Sequence, residues 1–215
     1  MVRRLASFGN IVALRHDRKN TISFAPTRQA EAYWTSLRDG GDVPLRTRID
    51  PRGISNILPY AFMIERISPS VASIRLAGQH LRTAIGSEPR GLPFGLFFAP
   101  ESRSSVATTL NAVLDTPSIA ELELLRTKGL AKGAVAARMI LLPLRNPAGT
   151  IDRALGVFVP DESSRSWQGQ YSLHDLKLRP VFGPARTPVD RLASLAASRD
   201  KTKPQTRPHL RLIKS

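Results

Sequence analysis

The chain has 215 residues, of which 41% are apolar, and a formal net charge of +15 at pH 7, which suits one domain with basic extensions or two small domains. It contains no cysteine, so disulfides, thiolate metal sites, cysteine nucleophiles and cysteine-linked chromophores are excluded. No apolar stretch approaches the ~18 residues of a membrane span. The N-terminus is a poor secretory signal, because Gly9 and Asn10 interrupt its apolar part. We therefore expect a soluble, cytoplasmic protein.

The first periodic segment predicts an amphipathic helix that begins near Thr27 and ends at Asp39-Gly40-Gly41. Four apolar side chains recur at the i, i+3, i+4 and i+7 positions of this helix: Ala30, Tyr33, Trp34 and Leu37. The Asp50-Pro51 pair has the chemistry of an N-cap followed by a first-turn proline, and it predicts a second, short helix that ends at Pro59.

Residues 61–67 and 71–77 are short apolar runs joined by Ser68-Pro69-Ser70, which predicts a strand hairpin. In the second run Ala72, Ile74 and Leu76 alternate with Ser73 and Arg75. Because side chains alternate across a strand, these three apolar residues are predicted to share one buried face.

Glycines and prolines interrupt the apolar residues from 78 to 98 and predict short helical turns that cross the sheet. Pro100-Glu101 opens a longer helix, which ends at Asp115-Thr116-Pro117. Residues 119–125, 134–144 and 151–159 then read as three strands of an antiparallel meander, the last two joined by the turn sequence Asn146-Pro147-Ala148-Gly149.

The two ends of the chain carry most of the net charge. Residues 1–20 hold five Lys/Arg against one acid, and residues 179–215 hold nine against two. We therefore predict a flexible basic segment over 1–26, one domain over 27–160, and a largely disordered, basic, proline-rich tail over 161–215. Such tails either keep a protein soluble or attract nucleic acid or an anionic membrane, and both alternatives stay open.

The order of these elements specifies an α+β domain with an antiparallel sheet and helices on one face. The sequence resembles a PAS domain, and in particular the fifth PAS family of bacterial single-domain proteins. The matching positions span most of 27–160: Tyr33-Trp34, Leu37-Arg38, Ile49-Asp50-Pro51-Arg52, Leu58-Pro59, Phe62, Glu65-Arg66, Arg75-Leu76-Ala77-Gly78, Arg90-Gly91-Leu92-Pro93, Phe97-Phe98, Pro100-Glu101-Ser102-Arg103, Leu141-Leu142-Pro143-Leu144 and Arg153-Ala154-Leu155-Gly156.

The resemblance implies a five-stranded sheet with helices on one face, preceded by the N-terminal amphipathic helix. It also implies a general role in sensing or protein docking in signal transduction, with a small-molecule pocket between the sheet and the crossing helices. The candidate lining of that pocket is Phe62, Ile64, Leu76, His80, Leu81, Ile85, Phe94, Phe97, Phe98, Met139 and Leu141. The alternative is that these residues form a filled core without a ligand.

The N-terminal helix is the candidate interaction surface, through Tyr33, Trp34 and Leu37. A homodimer through this helix and a regulatory partner such as a kinase or a transcription factor are both expectations drawn from the family. In our hypothesis the partner binds this helix or the outer face of the sheet.

Cofactor chemistry is constrained by the residues present. PAS domains that bind haem commonly take the iron ligand from the longer helix, which has no histidine here, so conventional haem binding is disfavoured; His80 is a less favoured ligand. The flavin adduct of light-sensing relatives requires a cysteine and is excluded. No phosphate loop, HExxH or GxSxG motif occurs, and no enzyme activity is expected.

Four arginines of the domain could bind an anionic metabolite or partner, namely Arg66, Arg75, Arg90 and Arg103. The alternative is that they pair with nearby acids such as Glu65, Glu88 and Glu101.

Overall fold

The structure, a computed structural model, describes residues 23–126, 136–161 and 168–182. The α-helices in these ranges are α1 (Ala25–Ser36), α2 (Gln79–Ile85) and α3 (Arg103–Leu114). Short 3₁₀ helices span Arg46–Arg48, Pro51–Ile57, Phe94–Phe97 and Pro100–Ser102. The strands are β1 (Ala61–Ser68), β2 (Val71–Ala77), β3 (Ser118–Arg126), β4 (Ala137–Arg145), β5 (Ile151–Pro160) and β6 (Tyr171–Pro180).

The six strands form one sheet in the order β2-β1-β5-β4-β3-β6. Every neighbouring pair is antiparallel, so the predicted α+β class and the β1–β2 hairpin are confirmed. The prediction of five strands is wrong, because β6 adds a sixth beside β3.

Strand β6 lies inside residues 161–215, which we predicted to be a largely disordered tail. It pairs with β3 along its whole length, from Ser118 opposite Pro180 to Arg126 opposite Tyr171. The Ala99 N–H also donates to the Tyr171 carbonyl at 2.9 Å. The predicted domain end at residue 160 is therefore wrong, and the sheet continues to Pro180. Residues 1–22 and 183–215 lie outside the described residues, so the predicted flexibility of those ends stays a prediction.

Helices cover both faces of the sheet, which corrects the prediction that they lie on one face. On the face that we call inner, α2, α3 and the Phe94–Phe97 helix enclose one apolar cluster. On the outer face, α1 and the Pro51–Ile57 helix enclose a second. The cause is visible in β4, where every residue from Ala137 to Leu144 is buried. A strand that is apolar on both sides must be covered on both sides.

Trp34 anchors α1 to the outer face. Its indole is fully buried, and its Nε1–H donates to the carbonyl of Pro143 in β4 at 2.7 Å. Arg179 of β6 adds a charged contact, pairing with Glu31 of α1 at 2.9 Å and with Glu121 of β3 at 2.7 Å. The side chain of Asp50 accepts from the Arg52 N–H, as the predicted cap of the second helix requires.

Candidate functional site

Nine of the eleven predicted pocket residues come together in the inner cluster. They are Phe62, Ile64, Leu81, Ile85, Phe94, Phe97, Phe98, Met139 and Leu141, of which Ile85 is half-buried and the others are buried. They come from the sheet, from α2, and from the Phe94–Phe97 helix with the residue that follows it.

Aromatic rings fill the middle of this cluster. Phe94 contacts Phe62 and Phe98 at centroid distances of 5.7 and 5.2 Å. Phe97 contacts Phe98, Phe158 and Tyr171 at 5.1, 5.2 and 4.9 Å. Rings at these spacings are in mutual contact. Gly156 of β5 makes room for them, because a Cβ there would lie 2.1 Å from the Phe62 ring.

Tyr171 is a core residue that the sequence analysis missed, since it lies in the segment predicted to be a tail. It is completely buried, and its ring stacks on Phe97. Burial raises the pKa of its hydroxyl well above the ordinary value, and the nearby Arg126 offsets only part of that rise.

Leu76 is not part of the pocket, and its predicted inward orientation is wrong. It is 56% exposed. Met63 pairs with Leu76 but Ile64 pairs with Ile74, so Arg75 is an extra residue in β2. A bulge of this kind reverses the alternation of side chains beyond it. Ala77 consequently packs against the inner cluster in place of Leu76.

His80 is half-buried near the start of α2. Its ring stacks on Tyr60 with a centroid distance of 4.1 Å and an interplanar angle of 9°. Tyr60 packs against the outer cluster. One face of the imidazole is therefore covered by a ring that belongs to the other side of the sheet.

Two clefts open beside the inner cluster and share Pro93 and Leu96 as lining residues. The β2–α3 cleft has a volume of about 210 Å³, and the β2–α2 cleft has a volume of about 260 Å³. The first is lined by Ser70, Val71, Ala72, Pro93, Gly95, Leu96, Arg103, Val106, Ala107 and Leu110. The second is lined by Ile74, Ile85, Leu92, Pro93, Leu96, Phe97, Gly169 and Gln170.

Backbone hydrogen bonds to β2 position the residues between the two clefts. The Gly91 N–H donates to the Ile74 carbonyl at 2.8 Å, and the Ile74 N–H donates to the Leu92 carbonyl at 3.0 Å. Gly91 has φ +86°, a conformation that favours glycine. The Gly91-Leu92-Pro93 sequence indicated a turn at this position. It did not indicate that Leu96 would be 47% exposed and would line both clefts.

The predicted arginine sites divide into paired and unpaired groups. Arg75 and Arg153 both bind Glu65, and Arg66 binds Asp115. Glu88 pairs with Arg82. Arg90 and Arg103 have no carboxylate within 4.0 Å among the residues whose positions are described. Of these two, only Arg103 lines one of the two clefts.

The segment before α3 is tied to β6. The Ser172 hydroxyl donates to the Glu101 carboxylate at 2.9 Å, and the Leu173 N–H donates to the Ser102 hydroxyl at 2.9 Å. The pKa of Glu101 is lowered by a hydrogen bond from its own backbone N–H, by that of Ser172, and by the charge of Arg103. This segment fixes where α3 begins, and Arg103 is its first residue.

The predicted interaction surface on α1 is largely occupied within the chain. Trp34 is buried, and Tyr33 is half-buried, with its hydroxyl donating to the Asp50 carbonyl at 3.1 Å. Leu37 is also half-buried. The Trp34 side chain is therefore not accessible to a partner in the folded chain, and α1 covers part of the outer face of the sheet. An interaction through Tyr33 and Leu37 stays a prediction.

Within ranges 23–126, 136–161 and 168–182, no group of three or more His, Asp or Glu side chains is arranged to hold a metal ion. Among the residues that the structure describes, no helix is long and apolar enough to cross a bilayer.

The model of a protein family described as PAS domain matches residues 22–159 of the chain. No curated protein matches the chain. The match begins before α1 and ends one residue before the end of β5, and it includes most of the residues that line the two clefts.

Proposed function

The chain belongs to the PAS domain family, and on that premise we propose that it is a non-enzymatic sensory and protein-interaction module that detects a small ligand at the paired clefts. The observation that carries this proposal is the meeting of the two clefts at Pro93 and Leu96, directly beside the aromatic cluster. Concave apolar sites with few polar groups are the usual form of small-molecule sites.

The position of Phe97 supports a sensory role. Phe97 lines the β2–α2 cleft and contacts Phe98, Phe158 and Tyr171. A ligand in that cleft would therefore touch a ring that packs against β5 and β6. A ligand shifts a conformational equilibrium only through its different affinity for two states. Contact with Phe97 would make the ligand affinity depend on how this ring packs against β5 and β6.

The test compares two tryptophan substitutions at exposed apolar positions. Leu96→Trp should fill the mouths of both clefts, whereas Ile67→Trp changes a residue that is 60% exposed and lines neither cleft. Native mass spectrometry of the freshly purified full chain should show a bound small molecule in the wild type and in Ile67→Trp, and less in Leu96→Trp. Small molecules bound equally to all three proteins, or to none, would contradict the proposal.

We propose further that the output is carried by a regulatory protein such as a kinase or a transcription factor, in the cytoplasm. The exposed Val71, Pro93 and Leu96 offer an apolar surface for such a contact, since exposed apolar patches often mark interaction sites. A photo-crosslinking residue at position 96 should capture that partner more strongly than one at position 67. The native mass spectra of the full chain also report whether two copies of the protein associate.

A further inference from the structure

Strand β6 leaves a short edge of the sheet open. At its start, the Tyr171 carbonyl and the Leu173 N–H both bond to the segment before α3. At its end, Pro180 has no N–H to donate. Among the residues that the structure describes, no strand pairs with β6 beyond Leu173 on the side away from β3. Residues 174–179, which we call the β6 edge, are therefore available for strand pairing.

The backbone groups of Leu176 and Leu178 point to the open side of this edge. The Val181 N–H donates to the Pro117 carbonyl at 2.8 Å, so this N–H points toward the β3 side. The pairing of β6 with β3 is regular over residues 175–180, and backbone groups alternate in direction along a strand. Leu176 and Leu178 consequently present both N–H and C=O to a possible partner.

Two opposite charges flank Leu176. Asp175 and Lys177 are both exposed, and within the described ranges neither takes part in a salt bridge. Asp175 stands directly opposite Glu123 of β3, and like charges in that position destabilise a strand pair. The pairing of Glu123 with Arg138 offsets part of this repulsion. A positive charge on the open side of Asp175 would therefore stabilise the edge.

A second copy of the β6 edge supplies that charge in one antiparallel register. When Leu176 of the two copies face each other, Asp175 of each chain faces Lys177 of the other. Moving the two-fold axis by one residue places either Lys177 opposite Lys177 or Asp175 opposite Asp175. In-register parallel pairing would create both of these like-charge contacts. The charges thus select the antiparallel register centred on Leu176.

We propose that two copies of the chain associate through their β6 edges, antiparallel about a two-fold axis at Leu176, so that their sheets become continuous. The Leu176 residues exchange two backbone hydrogen bonds. Asp175 and Lys177 form a salt bridge on each side of the axis, on the outer face of the sheet. The proposal does not depend on the ligand of the clefts, and it places the contact on β6 rather than on α1.

The apolar side chains of the β6 edge also gain cover in this arrangement. Leu176 and Leu178 stand opposite Leu122 and Ala120 of β3, which belong to the inner cluster. They therefore lie on the inner face, where Leu178 is 41% exposed. In the dimer Leu178 lies beside the β6 edge of the second copy, which removes part of its apolar surface from water.

The contact is short, and the dimer is expected to be weak. Pairing is confined to residues 174–178, because the residue opposite Arg179 would be Leu173, whose N–H is already bonded to Ser102. Such a contact falls short of the roughly 800 Å² per partner in stable complexes. We expect a dissociation constant on the order of 0.1 mM. Lys177, a residue type that deters indiscriminate edge pairing, makes this pairing selective.

Sedimentation equilibrium of the full chain over a range of concentrations up to about 1 mM tests the proposal. Asp175→Lys and Lys177→Asp each place like charges opposite one another at both salt bridges, and each should weaken self-association at least about tenfold. An equimolar mixture of the two variants should associate again, because every lysine then faces an aspartate. Restored association also shows that both variants are folded. A mixture that stays monomeric would overturn the proposal.

Glu88→Lys is the matched control, because it changes the net charge as Asp175→Lys does, at an exposed position outside β6. It should associate as the wild type does. Equal weakening in Glu88→Lys would show that association responds only to net charge and would overturn the assignment. A wild-type chain that is monomeric at about 1 mM would overturn it as well.

Cysteine crosslinking tests the register, since the chain has no cysteine of its own. Leu176→Cys places two thiols on residues whose Cα atoms are about 5.5 Å apart in the dimer, which permits a disulfide. Leu178→Cys is the matched control, because its two copies are about 14 Å apart along the strands. Mild oxidation should link Leu176→Cys into a dimer and leave Leu178→Cys unlinked. Equal linking of both variants would overturn the register.

Discussion

Trp34 contributes to stability through both its buried surface and its hydrogen bond to the Pro143 carbonyl. Trp34→Ala should lower the free energy of unfolding by about 3–5 kcal/mol, as for other large buried aromatics. Trp34→Phe should cost about 1–3 kcal/mol, because it leaves the Pro143 carbonyl unsatisfied. Urea denaturation measures both, with Thr35→Ala, an exposed neighbour on α1, as the control.

The same measurement at several protein concentrations separates packing within one chain from a dimer contact. Because the Trp34 side chain is fully enclosed by its own chain, its substitution should not make the unfolding midpoint depend on concentration. A midpoint that becomes concentration-dependent in Trp34→Ala would restore the expectation of a homodimer seam on α1.

At the scale of single residues, the sequence predicted burial well in strands that are apolar over several consecutive residues. Phe62, Ile64, Met139 and Leu141 are all buried as expected. The prediction for Leu76 was wrong because Arg75 is an extra residue in β2. The sequence of β2 contains no residue type that would indicate this bulge. Tyr171 was missed for a different reason: an isolated aromatic in a polar stretch carries no period that marks it as buried.

Three strands are joined on the sheet by one carboxylate. Glu65 of β1 accepts hydrogen bonds from Arg75 of β2 and Arg153 of β5. Burial disfavours the charged form of Glu65, but the two arginines outweigh it and hold its pKa below the ordinary 4.5. A lowered pKa in the folded state means that ionised Glu65 stabilises the fold above pH 4.5, and that this stabilisation is lost as the pH falls through the lowered pKa.

Glu65→Gln should therefore reduce thermal stability at neutral pH, where it leaves two arginines close together without their anion. The difference in Tm from the wild type should shrink as the pH falls well below 4.5. Glu88→Gln is the control, since its pair with Arg82 is solvent-exposed on both sides and such pairs contribute little. A difference that is independent of pH would contradict this role of the Glu65 charge.

Strand β6 should be required for cooperative folding. A chain truncated after Asp161 loses the Tyr171 ring and leaves the edge of β3 unpaired beside the buried Leu122 and Leu124. A chain truncated after Phe182 keeps both. We expect the longer chain to unfold in one cooperative transition in calorimetry and the shorter one to lose it. Equal transitions would mean that β6 is dispensable.

At the scale of elements, the sequence predicted β1 to β5, α1 and the helix after Pro100 to within a few residues. Each of these has a regular period or clear cap and turn residues. Strand β6 has neither. It follows a polar, glycine-containing stretch, His174 is an extra residue relative to β3, and the strand forms the outer edge of the sheet, where exposed polar side chains are ordinary. The two clefts were equally hidden, because they depend on how separate elements meet.

For the molecule as a whole, the basic C-terminal segment should govern non-specific binding to polyanions. Residues 183–215 carry eight Lys/Arg against two acids. Binding of duplex DNA by the full chain should weaken linearly on a log–log plot against salt concentration, with a slope of about −0.9 per phosphate neutralised. Truncation after Phe182 should flatten that slope. An unchanged slope would place the polyanion site within residues 1–182 and would contradict this role of the C-terminal segment.

The strand order also has a consequence for synthesis on the ribosome. Strand β1 ends at Ser68, but its partner β5 begins only at Ile151, more than 80 residues later. At ~5–20 residues per second, the β1–β2 hairpin emerges about 4–16 s before β5 exists. A two-stranded hairpin is marginally stable by itself, so the apolar start of β1 stays unprotected during that interval. The nascent chain should therefore depend on holdase chaperones in proportion to its translation time, whatever the stability of the finished protein.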